Sequence, residues 1–244
     1  MTGVCRTLGV LGGMGPAATA EFLRLLAAAS PADTDQDHPR LVMLSDPRIP
    51  DRTAAILDQD LAPAQRIADG LLRLSQWGAD LLAVPCNTAH VFIDRFTVEL
   101  PVPVVHIVDA TLREAVRESP EGGWLAASTG TVVSGLYQRR AKALGYDLAL
   151  PDHQIQQRIQ NTSLLVKANR VASAANEFLQ VTERLWEQRR LPLLGACTEL
   201  PIAYEAAGLP SVMMVSSLSA LARACVARLY ETAEPWPSEL STGM

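Results

Sequence analysis

Residues 84–90, VPCNTAH, end an apolar run on Cys86 followed by the polar pair Asn87–Thr88, and residues 195–200, GACTEL, repeat the arrangement at Cys197 with Thr198 behind it. The 244-residue chain has only four cysteines, so two in matching contexts, one in each half, call for a structural cause. Outward from Cys86 the first half alternates strands with helices. TLGVLGG (7–13) reads as a buried strand entering a glycine turn, and PAATAEFLRLLAAAS as a helix with Pro16 in its first turn, where a missing N–H is harmless. RLVMLSD (40–46), DLLAVP (80–85) and PVVHIVD (103–109) are the next strands, and a helical stretch runs from the PRIPDRT turn (47–53) to about Trp77, with Gly78 as its stop.

Outward from Cys197 the scheme recurs. GGWLAAS (122–128) and YDLALPD (146–152) read as strands around a helix that ends at Gly145; a long helical region reaches about Arg190; LPLLGA (191–196) and SVMMVS (211–216) are the closing strands, and a helix runs from Leu218 to about Tyr230. Gly12 to Gly130, Cys86 to Cys197 and Pro101 to Pro210 are separated by 118, 111 and 109 residues, a drifting but consistent offset. The expectation is an α/β protein of two pseudo-symmetric domains, each a mainly parallel sheet flanked by helices. Residues 1–112 plus 211–244 form one domain, completed by the C-terminal strand and helix, and residues 113–210 the other. The tail EPWPSELSTGM is read as loose.

Composition narrows the function. With 48% hydrophobic and 19% charged residues the chain is an ordinary globular one, and only 5% aromatic content leaves aliphatic residues to build the core. A net charge of −5 argues against a nucleic-acid partner. No apolar run reaches membrane-spanning length. The start, TLGVLGGMGPAATA, has the outline of a signal peptide, but its glycines and proline break the required core. Four cysteines in a chain this long make no disulfide framework, so reduced thiols and a cytoplasmic location are expected. Cys5 and Cys225 read as small buried hydrophobes.

In open parallel sheets ligands bind beyond the carboxyl ends of the strands. Cys86, Cys197, Thr131 and the glycine turn all follow strands, so facing sheets would bring both cysteines to one cleft. A cysteine between a strand and a helix is expected to favour the thiolate relative to the free value of about 8.5. Two thiols on opposite sides of one carbon suit stereoinversion: one removes a proton and the other delivers one. Two other readings compete. Cys86 and His90 have C-x-x-x-H spacing, open to a metal, though no further tight ligand pair exists; His38, His106 and His153 are scattered and read as structural or surface residues. Gly13, Gly15 and Ala18 form G-x-G-x-x-A between a strand and a helix, which admits a nicotinamide cofactor. Against it, Pro16 follows the turn directly and Asp46 comes later than a ribose-binding acid should. The glycines otherwise imply close backbone approach to a ligand such as a carboxylate.

LGVLGGMGPAAT, IPDRT (49–53), PCNTAH (85–90), GTVVSGLY (130–137) and ACTEL (196–200), in that order, resemble the aspartate/glutamate racemase family over about residues 7–230, most closely its aspartate racemases. The resemblance implies a cofactor-independent, metal-free amino-acid racemase, often dimeric, with its site in the interdomain cleft. It implies Cys86 and Cys197 as the acid/base pair and Asn87, Thr88 and Thr198 as holders of the α-carboxylate and amino group. Arg52 and Lys167 would attract the side-chain carboxylate of aspartate or glutamate, and Met14 and Thr131 would line the cleft. Arg52 also stands out on its own, in a turn after a strand where bidentate carboxylate contact is open to it. Three positions depart from the family pattern: Ser216 where an acid like Asp109 is expected, Ser128 where threonine is common, and Asn169 where glycine is common.

The expected function is two-way racemisation of an acidic amino acid by two thiols, the partner being that small molecule and a second copy of the chain, with no nucleic acid and no membrane. The two directions are expected to run at unequal rates because the motifs differ after each cysteine. A thiol-based isomerase or decarboxylase of another small carboxylic acid, and a non-catalytic amino-acid-binding protein, are the competing functions.

Overall fold

The computed structural model describes residues 6–96 and 99–230. Cys5 and the tail lie outside the described residues. The first sheet contains β1 (Thr7–Gly12), β2 (Arg40–Ser45), β3 (Leu81–Ala83) and β4 (Val104–Val105), all parallel, in the order β2-β1-β3-β4. The second contains β5 (Gly123–Ala127), β6 (Leu148–Ala149), β7 (Leu193–Ala196) and β8 (Met214–Ser216), again parallel, in the order β6-β5-β7-β8. The same order in both sheets puts each cysteine just beyond the equivalent strand, β3 or β7. Sequential parallel strands need covering crossovers. These are supplied by α1 (Pro16–Ala29), α2 (Arg52–Leu57), α3 (Ala62–Gln76), α4 (His90–Ile93), α5 (Ile107–Glu118), α6 (Thr129–Ser134), α7 (Leu136–Ala143), α8 (His153–Lys167), α9 (Val171–Gln188) and α10 (Leu200–Ala206), and α11 (Ser217–Tyr230) follows the last strand.

Strand alternation assigns side chains to layers. Leu8 and Val10 of β1 share a central core with Leu125 and Ala127 of β5, filled in by α1, α5, α7 and α11. Leu11 and Leu82 face outward to α3, while Trp124, Ala126 and Leu193 face α8, α9 and α10. β1 and β5 are therefore buried on both faces, which explains their unbroken apolar reading. The two units share one core layer, and that fixes how their carboxyl edges meet.

Several expectations are corrected. β8 pairs with β7, so the C-terminal strand completes the second sheet rather than the first. Only α11 returns to the first unit's side, where Leu218, Leu221 and Cys225 enter the central core; Cys225 is buried there as expected. The expected strand 103–109 keeps only Val104–Val105, because Ile107, Val108, Ala110, Thr111, Leu112 and Ala115 have helical spacing and are buried on one face of α5. The long helical stretch after residue 52 breaks at Gln59 and the one before Arg190 at Asn169, both with φ +57°. That left-handed backbone at Asn169 is why glycine would suit the position, and asparagine is among the residues that tolerate it.

Candidate active site

The carboxyl ends of β1, β3, β5 and β7 converge on a small cleft. Cys86 and Cys197 both line it, together with Met14, Arg52, Asn87, Thr88, Lys167 and Thr198. Eight of the nine residues expected at the site thus come together from two sheets. The ninth, Thr131, is wholly buried and does not line the cleft. It acts from behind: Thr88, Ser128 and Thr131 form a triangle of hydroxyl contacts at 2.8, 3.0 and 3.0 Å. Ser128 takes the lining place instead, and its side chain also caps α6. This triangle ties the Cys86 segment to the second unit. Gly130 lets the units close, since a Cβ there would stand 2.9 Å from Thr53 Cα.

Asn87 is held at both ends of its amide. Tyr137 donates to its Oδ1 at 2.6 Å, and its Nδ2 donates to Ser217 Oγ at 2.9 Å. Burial pushes the Tyr137 pKa well up, which keeps the phenol neutral and a donor. Asn87 therefore has one amide N–H left to offer a ligand. Arg52 starts α2 behind the Asp51 cap and is buried; its Nη1 donates to the carbonyls of Ile49 and Pro50, each at 3.0 Å. Its Nε is buried with no partner. A guanidinium anchored by one nitrogen and orphaned at another is prepared for an incoming acceptor. Lys167 ends α8 and remains exposed while lining the cleft. Desolvation acts to lower its pKa, but Glu199 and the two thiols outweigh that and hold the ammonium above its ordinary value.

The two cysteines are similarly buried, at 6% and 7% exposure, but differently surrounded. His90 is wholly buried; Ile107 N–H donates to its Nε2, so Nδ1 carries the proton and donates to the Cys86 carbonyl at 3.0 Å. Desolvation first, then the neighbouring His106, lowers the His90 pKa to about 3, so the ring is neutral. With both nitrogens occupied, the C-x-x-x-H spacing serves the fold of the loop. Among the described residues no group of three His, Cys, Asp or Glu is arranged to hold a metal ion.

Cys197 Sγ lies 3.2 Å from Glu199 Oε2 and 3.4 Å from Ser163 Oγ. Burial first, and then Glu199, push its pKa up to about 12 against the opposing pull of Lys167 and Ser163. The expectation that a strand-to-helix position favours the thiolate is thus corrected at Cys197. Backbone N–H groups there are outweighed by a carboxylate and by loss of water. Glu199 was read only as a difference between the two cysteine segments, with no role at the site, and Ser163 went unread. An acid two residues beyond the cysteine in an otherwise apolar run was the available signal for Glu199; Ser163, inside a helix, gave none.

The glycine turn also has a different role from the one expected. Gly13, at φ +94°, would place a Cβ 2.5 Å from the Asp46 backbone, and its N–H donates to Thr19 Oγ1 at 3.0 Å. The close approach is to the protein itself, and that N–H is not available to a dinucleotide phosphate or a carboxylate.

The cleft holds about 20 Å³, room for roughly one water molecule. An amino acid enters only if the units part. A larger cavity of about 280 Å³ lies between α5 and α11, but arginines 113, 117, 223 and 228 surround it and no cysteine reaches it.

Comparison with known proteins identifies the family and the fold. The family model for Asp/Glu/hydantoin racemases matches residues 11–225. The broad specificity amino-acid racemase RacX of Bacillus subtilis is 29% identical over 204 residues, covering 79% of this chain and 85% of the relative. The solved structure of Picrophilus torridus aspartate racemase is 29% identical with a TM-score of 0.79, covering 91% and 93% of the two chains. The glutamate racemase of Thermus thermophilus, 23% identical, shares the fold with a TM-score of 0.65 over 92% and 80%. With a shared model spanning both cysteine segments and both sheets, the chain belongs to the Asp/Glu/hydantoin racemase family.

Proposed function

We propose that this amino-acid racemase inverts the α-carbon of an acidic amino acid, aspartate first, using Cys86 and Cys197 as its two bases. The observation that carries the reading is the charge pattern of the cleft that both thiols line. Arg52 and Lys167 supply two cations and Glu199 one buried anion. An acidic amino acid carries two carboxylates and one ammonium, the complementary set. Asp51 is a second anion at the cleft, but it is exposed, where water screens its charge. The 29% identity to an aspartate racemase structure supports the same choice.

The α-proton of an amino acid is a very weak acid. Removal by one thiolate leaves negative charge on the α-carbon and its carboxylate, and the second thiol protonates the opposite face. Arg52 and the remaining Asn87 N–H would stabilise that charge where it develops. A closed, nearly dry cleft strengthens those interactions. No cofactor is required by this sequence of proton transfers. Because L and D enantiomers have equal free energies in water, kcat/KM must be the same in both directions. The expected asymmetry is therefore confined to kcat and KM taken separately. A homodimer is part of the proposal.

One observation favours a wider substrate range: the 29% identity to a racemase of broad specificity. Incubating the protein with single enantiomers of a panel of acidic, basic and neutral amino acids, followed by chiral chromatography, tests both. Racemisation of aspartate or glutamate at least tenfold faster than of the others is the expected result. Equal rates across the panel would replace the acidic reading with the broad one. Loss of carbon dioxide instead of inversion would identify a decarboxylase, and binding without α-proton exchange in deuterated water a non-catalytic protein.

A further inference from the structure

Two-base chemistry needs one thiol charged and one protonated at the outset, and the surroundings of the two sulfurs differ in one decisive respect. Glu199 is 2% exposed, yet its Oε1 has no hydrogen-bond partner. Its Oε2 faces Cys197 Sγ at 3.2 Å and Thr198 Oγ1 at 3.3 Å. In this contact Cys197 Sγ is the donor and the carboxylate the acceptor, so the proton sits on sulfur. A thiolate in the same place would set two negative charges side by side out of water. No described carboxylate is hydrogen-bonded to Cys86 Sγ. Gly15 makes room for the acid, since a Cβ there would stand 3.2 Å from Glu199 Oε1.

We propose that Glu199 is a catalytic residue that holds the proton on Cys197, so that Cys197 starts the cycle as the proton donor and Cys86 as the acceptor. This rests on the two-thiol reading above. The protons balance as follows. Cys86 thiolate takes the α-proton and becomes a thiol; Cys197 gives its proton to the opposite face and becomes a thiolate beside Glu199. To handle the same enantiomer again, Cys86 releases one proton to solvent and Cys197 regains one. The repulsion of Glu199 drives that recovery, and Lys167, whose charge acts on both thiols and on Glu199, offsets part of the cost while it lasts. In the reverse direction Cys197 must begin as a thiolate, so Glu199 sets the asymmetry in kcat and KM between enantiomers.

The test uses the resting enzyme without substrate. Wild type, Glu199→Gln and Glu199→Asp are alkylated with iodoacetamide from pH 6 to 10, and Cys86 and Cys197 peptides are quantified separately by mass spectrometry. Both thiols line one cleft, so Cys86 controls for access within each sample. In wild type, Cys197 should label at higher pH than Cys86. In Glu199→Gln, Cys197 labelling at a fixed pH should rise about tenfold, the equivalent of one pH unit, with Cys86 changed far less. Glu199→Asp should stay nearer to wild type. An unmoved Cys197 profile in Glu199→Gln, or equal shifts at both thiols, overturns the proposal. A selective shift in Glu199→Gln together with a wild type that does not racemise would instead overturn the two-thiol reading and leave the role of Glu199 on Cys197 standing.

Discussion

The loops that carry Cys86 and Cys197 are the same device built with different chemistry. Each follows the equivalent strand of an equivalent sheet and each presents a nearly buried sulfur to one cleft. The first loop is clamped by a neutral histidine on the Cys86 carbonyl, and its polar residue Asn87 is locked by Tyr137 and Ser217. The second is closed by backbone alone, Leu200 N–H to the Cys197 carbonyl at 3.0 Å, and its polar residue is an acid turned onto the sulfur. The repeated topology places the two thiols alike, and the differing neighbours set a carboxylate against only one of them, Cys197. The largest way to break this comparison is to remove one sulfur at a time. Cys86→Ser and Cys197→Ser should each lower racemisation by more than about 10³-fold, the scale of losing an essential acid/base group. Each should still exchange the α-proton of a single enantiomer in deuterated water, and the two should prefer opposite enantiomers. Proton NMR of each enantiomer reads this directly; exchange of the same enantiomer by both variants would mean the thiols do not face each other across the substrate.

A second asymmetry lies in the cations. Arg52 is buried and anchored, whereas Lys167 is exposed. Arg52→Lys keeps the charge but loses the planar fork, and should lower kcat/KM on acidic substrates by about 10²-fold. Lys167→Met should cost less, about tenfold, with more of the loss in KM, since an exposed cation contributes a screened interaction. Steady-state kinetics on aspartate decide it; equal losses would mean that both cations act on the reacting carboxylate.

Much of this was legible in the sequence because it is encoded locally. Strand-then-cysteine runs, helix caps and the offset between halves yielded two parallel sheets, both cysteines and Arg52; the other cleft residues came only through the resemblance to a known family. The remainder depends on contacts far apart in the chain. The partner of β8 could not be read because SVMMVS fits either sheet; its pairing with β7 is a tertiary choice. Thr131 looked like a lining residue because it follows β5, but one turn of α6 points it away from the cleft, and Ser128 replaces it. Thiolate character at Cys197 was misjudged because a local rule about strand ends takes no account of a carboxylate turned back onto the sulfur.

The lock on Asn87 gives a smaller, structural effect. Tyr137→Phe removes the O–H that satisfies Asn87 Oδ1 and leaves that acceptor buried and unpaired. Stability should fall by about 1–3 kcal/mol. Ser217→Ala, on the other side of the same amide, should cost about 1 kcal/mol, because the unmet group is then a donor that can turn toward the cleft. Urea denaturation measures both. The double variant should cost less than the sum, since the two bonds hold one side chain; strict additivity would mean that Asn87 is fixed by other contacts.

The finest test separates the two loops by pH. Only the Cys86 loop contains a buried titratable clamp. Burial lowers the His90 pKa to about 3, whereas the unfolded chain binds that proton with a pKa near about 6.5. A lowered folded-state value means the clamp's contribution is complete above about pH 6.5 and erodes as pH falls toward 3, because the unfolded state takes up a proton that the folded state refuses. Between pH 6.5 and 5.5 this group alone should remove about 1 kcal/mol of stability. His90→Gln keeps a side-chain N–H able to reach the Cys86 carbonyl but does not titrate. It should be less stable than wild type at pH 7.5, yet lose about 1.4 kcal/mol less on going to pH 5.5. His38 and His153 are common to both proteins and cancel in that difference; His106, whose ring lies 4.5 Å from His90, is replaced by glutamine in both. If the two denaturation curves shift in parallel with pH, His90 is protonated at similar pH in the folded and unfolded chains, and the first loop is not held by a neutral imidazole.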